Sequence, residues 1–279
     1  MVGKRSSNWR IVYLYLPLGI VFLVVLIPFF WALSTSFKTI SEFQSPTLQY
    51  LPKSFNLENY IHVWNNSGFS EYFLNSLLVS LVSVFFIVIL CVCNAYALSR
   101  YMFKGKKQAN SILLSTQMMP VILYLVPLFA VFKVVHLIDN PLALVIFNVV
   151  LQTPFNTILM TNFMNGISSE LDEAAMIDGA NRVTIMSKIL LPILRPGLVA
   201  VGSFAFIGCW NEFLVAFTMI QTQAKFTIPV GLKSMIGEYS VNYPALAAGS
   251  IIALIPPVVL FALIQKNLVS GLGAGAVKG

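Results

Sequence analysis

The sequence predicts an all-α integral membrane protein with six transmembrane helices. Three observations carry this prediction: the composition, six long apolar runs, and the distribution of the basic residues. Of the 279 residues, 58% are hydrophobic and 10% are charged, whereas a soluble domain carries about 25% charged residues. A mean hydropathy of +0.84 agrees with a chain that lies mostly within lipid.

Each apolar run can cross the hydrocarbon core as a helix, which takes about 20 residues. The first run follows a basic start, but it is too long for the apolar core of a secretory signal peptide, so we expect an uncleaved span. Between spans one and two, residues 37–70 predict turns and one short helix. The predicted spans are residues 11–36, 71–99, 109–133, 142–165, 196–220 and 244–266.

The basic residues orient the spans. With the N-terminus inside, 12 of the 17 Lys and Arg residues lie on the cytoplasmic side and 5 on the outer side, as the positive-inside rule requires. Both termini are therefore predicted to be cytoplasmic. The cluster at residues 100–107 is interpreted as a cytoplasmic anchor rather than a nucleic-acid patch. The domains predicted are a cytoplasmic N-terminus (1–10), a membrane domain (11–266) with a cytoplasmic loop (166–195), and a cytoplasmic tail (267–279).

The cytoplasmic loop 166–195 predicts two short helices joined at a glycine. Ser169 can cap the first helix, whose first turn is acidic. Gly179 stands where a helix end favours a left-handed residue, and the chain restarts near Asn181. Leu171, Ala174 and Ala175 are predicted to share one face, where small side chains let another surface approach. A second apolar stripe is predicted from Val183, Met186, Ile189 and Leu190.

The same loop contains a spaced motif. Glu173-Ala174-Ala175 is followed after three residues by Gly179, after nine more by Ile189, and after one more by Leu191-Pro192. This spacing resembles the EAA loop of ABC importer permeases. Other stretches resemble the second permease subunit of maltose-type, carbohydrate-uptake importers: Asn75-Ser76, Ala95-Tyr96-Ala97-Leu98-Ser99-Arg100, Trp210-Asn211-Glu212-Phe213 and the ending Gly271–Gly279.

The resemblance implies a type I ABC importer permease fold in a bacterial inner membrane. It implies that a paralogous permease completes the pore, that two ATPase subunits or a homodimer of one bind beneath it, and that an extracytoplasmic binding protein delivers a sugar. The chain has no Gly-x4-Gly-Lys-Ser/Thr sequence, so ATP and magnesium are expected on the ATPase and no cofactor on this chain. The residues expected to couple to the ATPase are Leu171, Glu173, Ala174, Ala175, Asp178 and Gly179.

Polar and aromatic residues within spans are candidates for a translocation path. Glu212 is the acid well inside a predicted span, where a charge costs about 2.5–3.5 kcal/mol on insertion scales. It either gates or lines the path, or it is a structural acid that hydrogen-bonds Asn211 or a neighbouring helix near the outer interface. Gln117 either faces the pore or bonds a neighbouring helix, and Trp210 either stacks on sugar rings or packs in the protein. The candidates are Gln117, Asn156, Trp210, Asn211 and Glu212.

The predicted outer loop 221–243 supplies apolar contacts that, by the resemblance, meet the binding protein. These are Phe226, Pro229, Leu232 and Tyr239. No metal site is expected, because His62 and His136 are isolated and the three cysteines lie within apolar runs. No catalytic residues are expected either. An intramembrane enzyme would need a catalytic constellation, and the sequence has no paired intramembrane acids, no His-rich site and no Gly-x-Ser-x-Gly. A secondary transporter would need inverted repeats and ionisable coupling residues, for which Glu212 alone is thin support.

Overall fold

A computed structural model describes residues 6–47, 49–237 and 240–276, and within these ranges it contains helices and no β-strand. In chain order the helices are α1 (Ser6–Ser36), α2 (Ile40–Phe43), α3 (Glu58–Asn66), α4 (Phe69–Arg100), α5 (Lys106–Thr116), α6 (Val121–Val134), α7 (Pro141–Asn165), α8 (Glu170–Ile177), α9 (Arg182–Thr184), the π-helix π1 (Ile185–Leu190), α10 (Leu191–Ile193), α11 (Arg195–Trp210), α12 (Leu214–Met219), the 3₁₀-helix η1 (Gln223–Lys225), α13 (Ile228–Ser234) and α14 (Tyr243–Ala276).

Four continuous helices, α1, α4, α7 and α14, are long and apolar enough to cross a membrane. Two further pairs reach that length as bent helices: α5 with α6, bent by 96°, and the helical segment Arg182–Ile193 with α11, bent by 80°. If each bent pair is one span, the total within the described residues is six, in agreement with the predicted fold class.

Two predicted spans are not single helices, and both corrections have a local cause. Span three, residues 109–133, breaks between α5 and α6 because Pro120 takes an extended backbone conformation with ψ of 131°. Span five, residues 196–220, breaks at residues 211–213, and a new helix, α12, begins after them. The sequence also places the end of span six at residue 266, whereas α14 continues to Ala276; residues 277–279 of the predicted tail lie outside the described residues.

The chain divides into two compact units, and one of them comprises Met1–Ser70 and Leu232–Leu254. Within it, Asn59 joins α3 to the end of α1, because its amide nitrogen donates to the carbonyl oxygens of Ser36 (2.9 Å) and Lys38 (2.8 Å). The buried ammonium of Lys38 donates to the carbonyl of Gln49 at 2.5 Å. The segment 37–70 contains two short helices, α2 and α3, where the sequence predicts one.

The other unit comprises Glu71–Gly231 and Ile255–Gly279 and contains two apolar clusters along α4 and α7. The first cluster includes Ile87 and Cys91 of α4, Met160 and Met164 of α7, and residues of α8, π1 and α11. The second includes Val79 of α4, the first residues of α7, and residues of α6 and α12. The first cluster includes residues of the predicted cytoplasmic loop 166–195, and the second includes Val230 of the predicted outer loop 221–243.

Candidate functional site

The first half of the cytoplasmic loop is α8, which begins after Ser169. The Ser169 side chain makes no capping hydrogen bond; instead, the Ser168 hydroxyl accepts from the Glu170 amide at 3.2 Å. The predicted cap is therefore wrong by one residue. The reason is that Ser169 already has a helical backbone conformation (φ −67°, ψ −20°), which points its side chain away from the free N–H groups.

Helix α8 has an inner and an outer face. Asp172 and Ala175 are buried in the chain, at 5% and 8% exposure. Leu171, Ala174 and Ile177 remain exposed on the other face, Ile177 at 87%. The two alanines of the motif therefore separate: Ala175 packs in this chain's own core, and Ala174 is exposed.

The glycine joint has the conformation that the sequence predicts. Gly179 has φ of +84°, in the left-handed region, and a Cβ placed there would meet no atom within 4 Å. The Gly179 amide donates to the Met176 carbonyl (3.1 Å) and the Ala180 amide to the Ala175 carbonyl (2.9 Å), which satisfies the end of α8. Asn181 then starts the next helix, because its side-chain oxygen accepts from the Thr184 amide at 2.8 Å.

The second half of the loop is anchored by π1, which contains three of the four residues of the predicted stripe: Leu190 is buried, and Met186 and Ile189 pack partly buried against the same cluster. Ile185 and Leu190 are fully buried, whereas Val183 is 76% exposed. Residues five apart face the same way in a π-helix, whose hydrogen bonds link i to i+5, so Ile185 takes the place that the sequence gives to Val183. Burial of each of these side chains stabilises the loop by about 1.5–3 kcal/mol.

A buried ion pair holds α8 against the end of α4. Arg100 Nε donates to Asp172 Oδ2 at 2.8 Å, and the two side chains are only 8% and 7% exposed. A second guanidinium nitrogen of Arg100 lies 3.5 Å from the Met164 carbonyl oxygen at the end of α7. The sequence indicates only an anchor at Arg100 and a helix-start acid at Asp172. The sequence does hint at this pair, because Arg100 and Asp172 both lie at helix ends on the predicted cytoplasmic side.

The path candidates do not form one site. Asn156 is fully buried and donates to the Gln152 carbonyl of its own helix at 2.8 Å. Trp210 is 3% exposed and stacks on Phe206, with ring centroids 5.4 Å apart. Asn156 and Trp210 are thus packed inside the chain instead of lining an accessible surface. Gln117 and Asn211 are exposed, and each follows directly on the end of a helix. Of the two roles left open for Gln117, the bond to a neighbouring helix is present, since its Nε2 donates to the Leu151 carbonyl of α7 at 3.5 Å.

Glu212 lies in the break between α11 and α12. Its Oε1 accepts from the Val215 amide at 2.7 Å, and its Oε2 accepts from the Ala216 amide at 3.0 Å. The carboxylate therefore caps α12, where the helix dipole also favours a negative charge. Of the two roles that the sequence leaves open, this geometry matches the structural acid, and it gives the break at residues 211–213 its cause.

In the outer loop, the residues predicted to contact the binding protein are partly buried by this chain. Phe226, Pro229 and Leu232 are each half-buried, and Phe226 packs against Tyr72 with ring centroids 6.0 Å apart; Tyr239 lies outside the described residues. Their apolar surface is thus partly used for packing within the chain and partly exposed. The exposed residues of this stretch include Gln221, Thr222, Gln223 and Ala224, which the sequence reasoning does not single out.

The segment under those exposed residues is fixed by α4. Asn75 Nδ2 donates to the Ala224 carbonyl (2.8 Å) and the Phe226 carbonyl (3.1 Å). The Ser76 hydroxyl accepts from the Ile228 amide at 2.7 Å. The Asn75-Ser76 pair, which the sequence shows only as part of a resemblance, thus orders a loop about 150 residues later in the chain.

Comparison with known proteins agrees with this arrangement. Residues 95–273 match the family model described as binding-protein-dependent transport system inner membrane component. The inner membrane ABC transporter permease protein YcjP of Escherichia coli (strain K12) is 36% identical over 269 residues, covering 95% of each chain. The galactooligosaccharides transport system permease protein GanQ of Bacillus subtilis (strain 168) is 31% identical over 274 residues, covering 97% of this chain and 96% of the relative.

A solved structure shares the fold. It belongs to a bacterial ABC transporter involved in the import of the acidic polysaccharide alginate, and it superposes with a TM-score of 0.83 at 24% identity. The superposition covers 96% of this chain and 99% of that one. The predicted type I importer permease architecture is thereby confirmed.

Proposed function

Because the chain belongs to the family of binding-protein-dependent transport system inner membrane components, we propose that it is one permease subunit of an ATP-driven saccharide importer. A paralogous permease completes the pore, and a binding protein delivers the saccharide on the outer side. Support for the substrate class comes from the relative whose name refers to galactooligosaccharides. With the predicted orientation, both termini and α8 are cytoplasmic.

The observation that carries the proposal is the two-faced helix α8. Its inner face is held by the buried Arg100–Asp172 pair, and its outer face presents Leu171, Ala174 and Ile177 to solvent. A short helix fixed to the membrane domain, with an exposed apolar face, suits docking into a groove of a second protein. That protein is the ATPase, which binds ATP and magnesium and hydrolyses ATP.

The role of the predicted coupling residues divides accordingly. Leu171, Glu173, Ala174 and Asp178 are exposed and can touch the ATPase. Ala175 and Gly179 act on the chain itself: Ala175 seats α8 in the core, and Gly179 makes the turn to α9. A force on α8 therefore reaches α4 through Asp172 and reaches α11 through π1, whose residues Ile185 and Leu190 share a cluster with α11.

For the saccharide path we propose the two helix breaks. Non-helical backbone at membrane depth is tolerated where it is buried in protein or lines a water-filled cavity. Gln117 stands at the break between α5 and α6, and Asn211 at the break between α11 and α12; both are exposed. Amide side chains there can hydrogen-bond sugar hydroxyls, while Asn156, Trp210 and Glu212 support the helices behind them.

A matched pair of alanine variants tests the coupling. Ala174 and Ala224 are both exposed, one on α8 and one in η1. Ala174→Arg should lower the amount of ATPase that co-purifies with the tagged chain by about tenfold or more, the size expected at a central docking position. Ala224→Arg should retain the ATPase.

Uptake in proteoliposomes tests the function as a whole. Saccharide uptake should require ATP, the ATPase and the binding protein together. Uptake driven by an ion gradient without ATP would contradict the proposal. So would full ATPase retention and full stimulated turnover in Ala174→Arg, since α8 would then not be the docking element.

A further inference from the structure

Asp139, in the turn that precedes α7, holds the start of the outer loop. Its Oδ1 accepts from the amides of Gln221 (3.0 Å) and Thr222 (2.8 Å). Its Oδ2 accepts from the Thr222 hydroxyl (2.7 Å) and from Lys225 Nζ (2.7 Å). One carboxylate therefore accepts four hydrogen bonds, which is its full complement of about four lone-pair sites.

The backbone of Asp139 is part of the same clamp. Lys225 Nζ also donates to the Asp139 carbonyl at 2.7 Å, and the Asp139 amide donates to the Met219 carbonyl at 2.8 Å. Asp139 has φ of +58°, a left-handed conformation that Asp tolerates better than most residues. Asn140 follows it and caps α7, accepting from the Leu142 amide at 3.0 Å. The turn is thus fixed on one side by a helix start and on the other by the loop.

The part of the outer loop that Asp139 holds in place, residues 221–224, lies at the surface. Residues 221–224 are exposed, although the Thr222 hydroxyl donates to Asp139 and Gln223 Nε2 donates to the Tyr72 hydroxyl at 2.8 Å. Their backbone is tied to Asp139 through the amides of Gln221 and Thr222, and to Asn75 of α4 through the Ala224 carbonyl. Nothing in this network needs a partner to form. An exposed segment that is already ordered loses little conformational entropy when a partner binds it.

We infer that Asp139 is a positioning residue: through Lys225 and Thr222 it preorganises residues 221–224 as a contact surface for the extracytoplasmic binding protein. This rests on the proposed function, because it assumes that such a protein docks on the outer side. It adds the exposed residues 221–224 to the apolar contacts expected from the sequence, of which Phe226, Pro229 and Leu232 are partly buried in this chain.

The test measures ATP turnover of the assembled complex against binding-protein concentration. Asp139→Ala removes all four acceptor contacts, so the half-saturating concentration of binding protein should rise about tenfold, the size expected when loop ordering is shifted to the binding step. Turnover at saturating binding protein should change by less than about twofold, because the loop still reaches the same bound state. Lys225→Met removes one donor and should give a smaller rise in the same direction.

A charge control and a direct readout complete the design. Lys53→Met removes an exposed lysine from another outer segment and should leave the half-saturating concentration unchanged. Hydrogen exchange should show faster exchange of the Gln221 and Thr222 amides in Asp139→Ala. Lys225→Met keeps all the carboxylate contacts to Gln221 and Thr222, so it remains informative if Asp139→Ala folds poorly.

Three outcomes would overturn the inference. If the wild-type complex is not stimulated by any binding protein, the proposed function fails and takes the inference with it. If the wild type is stimulated but Asp139→Ala and Lys225→Met leave the half-saturating concentration unchanged, only the inference fails. Equal shifts in Lys53→Met and Lys225→Met would also defeat it, since the effect would then be one of net charge.

Discussion

The two ends of α7 carry two ion pairs of opposite character. Asp172, beyond the C-terminal end, pairs with Arg100 in the interior, and both side chains are less than a tenth exposed. Asp139, before the N-terminal end, pairs with Lys225 near solvent, at 24% and 42% side-chain exposure. At 1.5 Å per residue, α7 separates these ends by about 37 Å. Helix α7 thus connects a buried ion pair near one loop to an exposed ion pair near the other.

The pairs also differ in how their polar atoms are satisfied. The buried pair leaves Asp172 Oδ1 and Arg100 Nη2 without a hydrogen-bond partner. The exposed Asp139 carboxylate accepts four hydrogen bonds. The stability of the buried pair therefore depends on charge compensation, since either charge alone would be buried without a counter-charge. The exposed Asp139–Lys225 contact depends on the geometry of its hydrogen bonds. We expect changes at the first to act on stability and changes at the second to act on loop order.

The largest effect should follow from breaking the buried pair. Asp172→Asn leaves the Arg100 charge buried without compensation, which costs about 3–5 kcal/mol of folding free energy. The double variant Arg100→Met with Asp172→Leu should recover most of that loss, because an apolar pair replaces a buried ion pair at little cost. Thermal unfolding of the wild type, of the single variants Arg100→Met and Asp172→Leu and of the double variant, analysed as a double-mutant cycle, measures the coupling; Asp172→Asn measures the cost of the unpaired charge. Additive losses would contradict the interpretation.

The glycine joint should give the next largest effect at the same end. Gly179→Val forces a β-branched residue to φ of +84°, at a cost of about 1–2 kcal/mol. No atom lies within 4 Å of the new Cβ, so the cost is one of backbone conformation alone. Gly19→Val is the matched control: the site is equally open, lies within α1 and has no positive φ. If both variants unfold at the same temperature, the left-handed joint is not strained by a side chain.

A third prediction concerns Glu212, which caps the start of α12. Glu212→Ala removes two acceptors from the start of α12, which should cost about 0.5–2 kcal/mol of stability. Glu212→Gln keeps one acceptor and should lose less. Unfolding and saccharide uptake are measured side by side on both variants. Unchanged stability together with lost uptake would favour the gate over the cap.

The smallest effect should be the pH dependence of the exposed clamp. The hydrogen bond from Lys225, followed by those from Thr222, holds the pKa of Asp139 well below its ordinary value of 3.8. A lowered pKa in the folded state means that the carboxylate's contribution is complete above pH 3.8 and declines only as the pH falls below it. Protection of the Gln221 and Thr222 amides should therefore be flat from pH 7 to pH 4. A loss of protection between pH 6 and pH 5 would contradict this.

Salt distinguishes the two clamps on the same samples. Screening acts on charges near solvent and much less on buried pairs. Added salt should weaken the Lys225–Asp139 contact slightly, which would be seen as faster hydrogen exchange of the Thr222 amide. The amount by which the Arg100–Asp172 pair raises the unfolding temperature should not change with salt. Equal salt sensitivity at both ends would contradict the difference in burial.

Local patterns in the sequence determined the spans and the shape of the cytoplasmic loop. Six apolar runs are enough to predict six crossings, because backbone groups in lipid must be satisfied within a helix. Gly179 is enough to predict the joint, because a glycine at a helix end favours the left-handed region. These features depend on residues a few positions apart, so composition and spacing reveal them.

The tertiary structure alone decided which charges meet and which faces are covered. Arg100 and Asp172 are 72 positions apart, and Asp139 and Lys225 are 86; no periodicity links such residues. The sequence could say that Ala174 and Ala175 lie close together on α8, but only packing against the core exposed the first and buried the second. The partner of a charge and the burial of a face depend on contacts between distant segments, and these exist only once the helices have packed.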